Sequence, residues 1–107
     1  MITMTDLSDS WRQHLRLMLL RLLAETPGYA ANECLLADAV RSLGVAATGD
    51  QVRGELAWLA EAGLVTVERI AGLAIATGTA RGEEVARGLA VHPGVRRPAP
   101  RGLGRGE

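Results

Sequence analysis

The sequence predicts a mainly α-helical domain with a small β-hairpin, and changes in hydrophobic period carry that prediction. Apolar residues recur at intervals of three and four along much of residues 15–59, as on one face of an amphipathic helix. From Leu64 the period changes to two, and the run to Ile70 is rich in β-branched residues. The dipeptide Ala71-Gly72 separates this run from a second one at 73–77, a pattern typical of two strands joined by a tight turn.

The first helix is predicted to open near Ser10 and to end before Pro27. Ser10 and Gln13 have the spacing of a capping box, and proline interrupts a helix. The apolar stripe of this helix consists of Leu15, Met18, Leu19, Leu22 and Leu23. Leu17 and Leu20 lie off the stripe, so the apolar face is wider than one small domain needs. Two interpretations remain open: a central helix that is touched on two sides, or a homodimer interface through helix 1.

Three further helices follow from capping signals. Asn32 is predicted to cap the second helix, with Gly44 closing it, and Thr48 with Gln51 repeats the capping-box spacing at the third. A short last helix is expected from Thr79. The residues expected to face inward are Leu36, Val40 and Leu43, with Leu35 and Ala39 beside them, then Val52, Leu56 and Leu59, and finally Val85, Ala86 and Leu89.

The length of 107 residues fits one domain. We expect an N-terminal segment at 1–9, the folded domain at 10–91 and a flexible tail at 92–107. The tail holds three prolines and four glycines in sixteen residues, a composition that buries too little surface to offset its ordering entropy.

Composition predicts a cytoplasmic protein without a membrane span. No basic segment followed by an apolar run opens the chain, and Arg16 and Arg21 interrupt its longest apolar cluster. The single cysteine, Cys34, cannot form an internal disulfide and is interpreted as a small buried residue. Residues 1–91 carry eight arginines against eleven acidic residues, whereas residues 92–107 carry four arginines against Glu107 alone.

Two segments resemble winged helix-turn-helix proteins. Glu55-Leu-Ala-Trp-Leu-Ala-Glu-Ala-Gly-Leu-Val65 is similar to the exit from a recognition helix into the first wing strand. Thr79-Ala-Arg-Gly82 with Ala86 is similar to the segment that follows the second wing strand. More narrowly, Pro27-Gly-Tyr-Ala-Ala-Asn-Glu33, Glu55-Leu-Ala-Trp-Leu59 and Pro93-Gly-Val-Arg-Arg-Pro98 resemble small ArsR-like winged-helix proteins of Mu-like phages and prophages.

The resemblance implies a DNA-binding protein, either a phage transcriptional regulator or an accessory factor. In that fold the third helix enters the major groove and the wing reaches phosphate or the minor groove. Gln51 then reads adenine, Arg53 reads guanine or holds a phosphate, and Thr48 offers its hydroxyl to a phosphate. Arg69 is the cation nearest the wing.

The charges of the third helix and of the predicted wing favour an alternative to DNA binding. The third helix also carries Asp50, Glu55 and Glu61, and the predicted wing turn is uncharged. Phosphate contacts supply much of the affinity of DNA-binding proteins. Few cations are present in these two elements to make such contacts. The alternative is a protein-interaction or dimerisation module in phage development or DNA packaging, with a phage protein as its partner.

Several single residues have both a structural and a functional interpretation. Trp58 is interpreted as a half-buried packing residue, with base stacking as the alternative, while Arg12 and Arg16 are expected to solvate the outer face of helix 1. The tail arginines either add sequence-independent attraction to phosphate or keep the chain soluble.

No catalytic, metal or cofactor site is predicted. A metal sensor needs several converging ligands, and the chain has one cysteine and two histidines, His14 and His92, in different segments. No phosphate-binding glycine loop or Ser, His and Asp set is recognisable. We therefore expect a protein that is not an enzyme.

Overall fold

A computed structural model describes the backbone of residues 4–99 and the side chains of residues 7–99. In this part of the chain, four helices surround a small three-stranded antiparallel sheet, a mixed α and β architecture. The elements are α1 (Met4–Glu25), a 3-10 turn (Pro27–Tyr29), β1 (Ala30–Asn32), α2 (Glu33–Ser42), α3 (Gly49–Glu61), β2 (Val65–Ile70), β3 (Leu73–Gly78) and α4 (Ala80–Ala86).

Helix α1 is the central element of the core. It contacts α2, α3, α4 and β3, and these neighbours bury Leu17 and Leu20 to 4% and 2% exposure within a single chain. The extra width of its apolar face therefore matches packing on several sides, and a second copy is not needed to cover it. No helix among the described residues is both long and apolar enough to cross a membrane.

The predicted start of α1 at Ser10 is wrong, since the helix begins at Met4. No proline or glycine lies among residues 4–9, so the chain offers nothing that would end the helix there. Residues 4–9 thus belong to α1, and the rest of the segment predicted at 1–9 lies outside the described residues.

The capping predictions for the other helices are confirmed. The Asn32 side chain accepts a hydrogen bond from the Leu35 amide at 2.8 Å. At the start of α3, the Thr48 hydroxyl accepts from the Gln51 amide at 3.1 Å and the Gln51 side chain accepts from the Thr48 amide at 2.9 Å. Thr79 caps α4 in the same way through the Gly82 amide. These bonds satisfy amides that would otherwise lack partners at the helix ends.

Four apolar or thiol side chains expected inside are exposed. Leu43 and Leu89 are 61% and 77% exposed, and Leu35 and Cys34 also face solvent. Leu43 stands at the C-cap of α2, and α4 ends at Ala86, before it can turn Leu89 inward. The core face of α2 is narrower than predicted and consists of Leu36, Ala37 and Val40.

The predicted hairpin is confirmed, and a third strand joins it. Strands β2 and β3 pair antiparallel from Val65↔Gly78 to Ile70↔Leu73. At the turn, Ala71 and Gly72 both have positive φ, as a type I′ turn requires. The sheet order is β1-β3-β2, because β1 pairs with β3 from Ala30↔Thr77 to Asn32↔Ile75. Three residues are too few to show a period, so β1 could not be predicted.

The first half of the predicted flexible tail packs against the helices. Val95 is 4% exposed, the Arg96 amide donates to the Gln13 carbonyl at 3.2 Å, and Arg16 donates to the Gly94 carbonyl at 2.9 Å. These contacts place residues 92–99 against the helices, and the flexibility expected of the tail stays a prediction. The remainder of the predicted tail, with Arg101 and Arg105, lies outside the described residues.

Candidate nucleic-acid interface

Two of the four predicted DNA-contacting residues, Thr48 and Gln51, form the N-terminal cap of α3. Both are exposed, but the Gln51 oxygen is already bonded to the Thr48 amide. A glutamine that reads adenine uses its oxygen and its nitrogen together. Base reading by Gln51 therefore competes with its hydrogen bond to the Thr48 amide.

Arg53, the one basic residue of α3, is bound to a buried carboxylate. Its Nε lies 2.7 Å from Oε1 of Glu33, and the two side chains are 49% and 5% exposed, respectively. The Glu33 hydrogen bond raises the pKa of Arg53, so the guanidinium stays charged. The bond leaves half of the Arg53 side chain facing solvent.

Glu33 joins three elements and was not foreseen from the sequence. It is the first residue of α2, and its Oε2 accepts a hydrogen bond from the Ala74 amide on β3 at 2.6 Å. The β1–β3 register explains this contact: after Asn32↔Ile75 the next pair would be Glu33 and Ala74. Because the chain turns into α2 at that point, the side chain takes the place of a strand carbonyl. An acidic residue after an N-cap usually only complements the helix dipole, so the sequence carried no distinctive signal.

The surroundings of Glu33 favour its ionised form. The pKa of its carboxyl is lowered, first by the Ala74 amide and then by the hydrogen bond from Arg53, with further contributions from the charges of Arg53 and Arg69. Burial acts in the opposite direction and is outweighed. Glu33 is thus a carboxylate held between a backbone amide and cationic side chains.

Arg69 lies on the same side of this arrangement as Arg53. In the β2–β3 register it is paired with Ala74, whose amide binds Glu33. Paired residues of an antiparallel sheet point to the same face, and Arg69 is exposed there. Arg53 thus contacts Glu33 directly, the charge of Arg69 lies close enough to lower the pKa of the same carboxyl, and Thr48 and Gln51 lie at the start of α3.

The outward face of α3 is small and acidic. Its exposed residues include Asp50, Gly54, Ala57 and Glu61. The hairpin tip, Ala71-Gly72, has no charge. Within α3 and the hairpin, the positive charges are those of Arg53 and Arg69, and Arg41, paired with Asp38, donates to the Ala47 carbonyl just before α3.

Arg16 and Trp58 form a separate cluster between α1 and α3. Arg16 is only 13% exposed, pairs with Glu55 at 2.6 Å and lies 3.8 Å above the Trp58 ring. The expectation that Arg16 solvates an outer face is wrong. The His92 ring meets Trp58 edge-on at 5.2 Å, so the packing interpretation of Trp58 holds and the indole is not an open stacking platform.

No group of three potential metal ligands occurs among residues 7–99. Cys34 is exposed at the start of α2.

Comparison with known proteins places the chain among phage proteins. No protein-family model matches it, and no solved structure matches it. It is 45% identical over 58 residues to an uncharacterized protein of Haemophilus influenzae, a match that covers 54% of this chain and 56% of the relative. It is 42% identical over 95 residues to the uncharacterized protein gp26 of Escherichia phage Mu, and that match covers 89% of this chain and 98% of gp26. The chain therefore belongs to the family of the phage Mu protein gp26.

Proposed function

We propose that the chain is a winged helix-turn-helix protein that binds DNA, with α3 as recognition helix and β2–β3 as wing. The order α1, β1, α2, α3, β2, β3, α4 fits the winged-helix resemblance of the sequence, and the short β1 completes the sheet behind the wing. Likeness to ArsR-type proteins, and a role as phage transcriptional regulator or DNA-binding accessory factor, are parts of this proposal.

The observation that carries the proposal is the convergence of Arg53 and Arg69. One lies on α3 and the other on β2, the two elements that face DNA in this fold, and both are exposed. Arg53 is bonded to Glu33, and the charge of Arg69 helps to lower the pKa of the same carboxyl, so the two cations lie on one side of the domain. Two phosphate or base contacts follow from this arrangement, and Thr48 adds a third polar group at the helix start.

The test is DNA binding at two salt concentrations. Fluorescence anisotropy with labelled duplexes at about 50 and 200 mM salt gives the salt slope, which is roughly −2 for two phosphate contacts. Arg53→Ala and Arg69→Ala are each expected to weaken binding and to reduce that slope by about 1 if the residue contacts phosphate.

Arg87→Ala is the matched control. Arg87 is the C-cap residue of α4, is similarly exposed and pairs with Glu83 at 2.9 Å, so its loss removes one charge away from α3 and the hairpin. Affinity in this variant should stay close to wild type. Undetectable binding at the lower salt concentration, or equal affinity of wild type and the Arg53→Ala/Arg69→Ala double variant, would refute the proposal.

A second candidate function is a protein-interaction module of phage development or DNA packaging. Leu35 on α2 and Leu43 at its C-cap favour it, because they are eight residues apart and expose 57% and 61% of their surface. Co-purification with the proteins encoded beside it, for wild type and a Leu35→Ser/Leu43→Ser variant, tests this role. Equal recovery of a partner by both would exclude this face as the contact.

A further inference from the structure

We infer that Glu33 is a positioning residue that fixes Arg53 for contact with guanine in the major groove. The inference rests on the proposed DNA binding and adds the base class that α3 reads.

Both oxygens of Glu33 have fixed partners. Oε2 accepts from the Ala74 amide, which is part of the sheet backbone, and Oε1 accepts from Arg53 Nε. The Glu33 side chain is 5% exposed, so it cannot move out to solvent without breaking the first of these bonds. Arg53 is therefore held from an anchor on β3 rather than from another flexible side chain.

Arg53 keeps hydrogen-bond donors that Glu33 does not occupy. Its guanidinium has five N–H donors in one plane, and Glu33 occupies the one on Nε. The two Nη groups make no hydrogen bond to any other residue in the described range. Guanine presents N7 and O6 as neighbouring acceptors in the major groove, and a bidentate arginine satisfies both.

A guanine contact and a phosphate contact by Arg53 depend differently on Glu33. Phosphate contacts tolerate a mobile cation, because they depend chiefly on charge. A bidentate base contact depends on the direction of the guanidinium plane, which Glu33 restricts. Loss of the Glu33 charge should thus lower base discrimination while leaving affinity for arbitrary sequence unchanged or higher, since one negative charge is removed from the interface.

The full chain is first used to select preferred sites from a randomised duplex library. The selected site then competes with the same site in which the guanine is replaced, and the ratio of the two affinities is the guanine preference. A bidentate contact gives a preference of about 5- to 150-fold. Wild type should fall in this range. Glu33→Gln, which keeps the size of the side chain, should lose most of the preference, and Arg53→Lys should do the same because it keeps the charge without the planar fork.

Glu68→Gln is the control. Glu68 is exposed on β2 and pairs with Ile75, which places it on the opposite face of the sheet from Arg69. This variant removes an equal charge and should keep the guanine preference. A preference retained in Glu33→Gln, or lost equally in Glu68→Gln, would overturn the inference.

A spectroscopic measurement separates positioning from folding. The Arg53 Nε–H signal in ¹⁵N NMR should be protected from solvent exchange in wild type and in Glu68→Gln, and exposed to exchange in Glu33→Gln. If Glu33→Gln does not fold, Arg53→Lys still tests the base preference without altering the buried carboxylate. Wild-type levels of DNA binding in the Arg53→Ala/Arg69→Ala variant would refute the proposed function as well, whereas a retained guanine preference in Glu33→Gln would refute only the role of Glu33.

Discussion

Replacing Gly94 with alanine tests whether residues 92–98 are held against α1 and α3. A Cβ atom at this position would lie 2.4 Å from Cη2 and 2.5 Å from Cζ2 of Trp58. Carbon atoms in contact lie about 3.5–4.0 Å apart, so the ring or the segment must move by roughly 1 Å. The ring has little room to do so, because Arg16 covers it at 3.8 Å and is itself paired with Glu55.

The expected loss of stability follows from the contacts that residues 92–98 lose when they move. Lifting it weakens the Arg16 bond to the Gly94 carbonyl and the Arg96 bond to Gln13, and exposes part of Val95. Insertion of one carbon into a packed site costs about 1–3 kcal/mol, which corresponds to a fall in Tm of roughly 4–8 °C per kcal/mol for a domain of this size. We therefore expect Gly94→Ala to lower the free energy of unfolding by about 1–3 kcal/mol.

The assay is urea unfolding followed by far-UV circular dichroism, with tryptophan fluorescence as a local reporter of Trp58. Hydrogen exchange of the Arg96 amide shows whether the segment opens before the rest of the domain. Gly54→Ala is the control: nothing lies within 4 Å of its added Cβ, and alanine in place of a helical glycine should stabilise by about 1 kcal/mol. Unchanged stability, unchanged fluorescence and an unprotected Arg96 amide in wild type would refute the packing of residues 92–98.

Three further predictions concern the cap, the core and the acid response. Thr48→Ala removes the reciprocal cap of α3 and should cost about 0.5–2 kcal/mol in urea unfolding, whereas Thr48→Ser should retain most of it. Leu56→Ala opens a cavity at a site that is 1% exposed and should cost about 2–5 kcal/mol; a smaller loss would mean that α1 and α3 are loosely packed. Because the folded pKa of Glu33 lies below its ordinary value of 4.5, its contribution to stability is present above that value and is lost as the pH falls through the folded pKa. The midpoint of urea unfolding should therefore decline more steeply with acid in wild type than in Glu33→Gln, and parallel curves would contradict the assignment.

The features predicted correctly from the sequence depend on neighbouring residues. The cap of α3 requires only Thr48 and Gln51, and the hairpin turn requires only Ala71 and Gly72 between two alternating runs. Such signals are encoded within a few residues, so they can be read without knowing what packs against them.

The features that were missed depend on residues far apart in the chain. Glu33 and its partner Ala74 are 41 residues apart, and Arg16 and the Gly94 carbonyl are 78 apart. Leu17 is buried only because several elements surround α1. Composition made residues 92–98 resemble a disordered tail, although the absence of a side chain at Gly94 is what allows close contact with Trp58.

The small net positive charge of the candidate interface limits the affinity of one copy for DNA. Arg53 and Arg69 with Glu33 sum to one positive charge. Even if both arginines contacted phosphate, affinity would fall only about tenfold for a fourfold rise in salt, and a guanine contact by Arg53 leaves a single phosphate contact. Proteins with six to ten such contacts lose roughly 10³–10⁵ over the same interval, which measures how much larger their electrostatic attraction is. A single copy is therefore expected to bind arbitrary DNA weakly, and useful occupancy of a site has to come from base discrimination or from a second DNA-bound module. The exposed Leu35 and Leu43 offer a contact surface for such a module, so the two candidate functions are compatible. A guanine contact positioned by Glu33 would select the site, and a protein contact would add the affinity that the arginines do not supply.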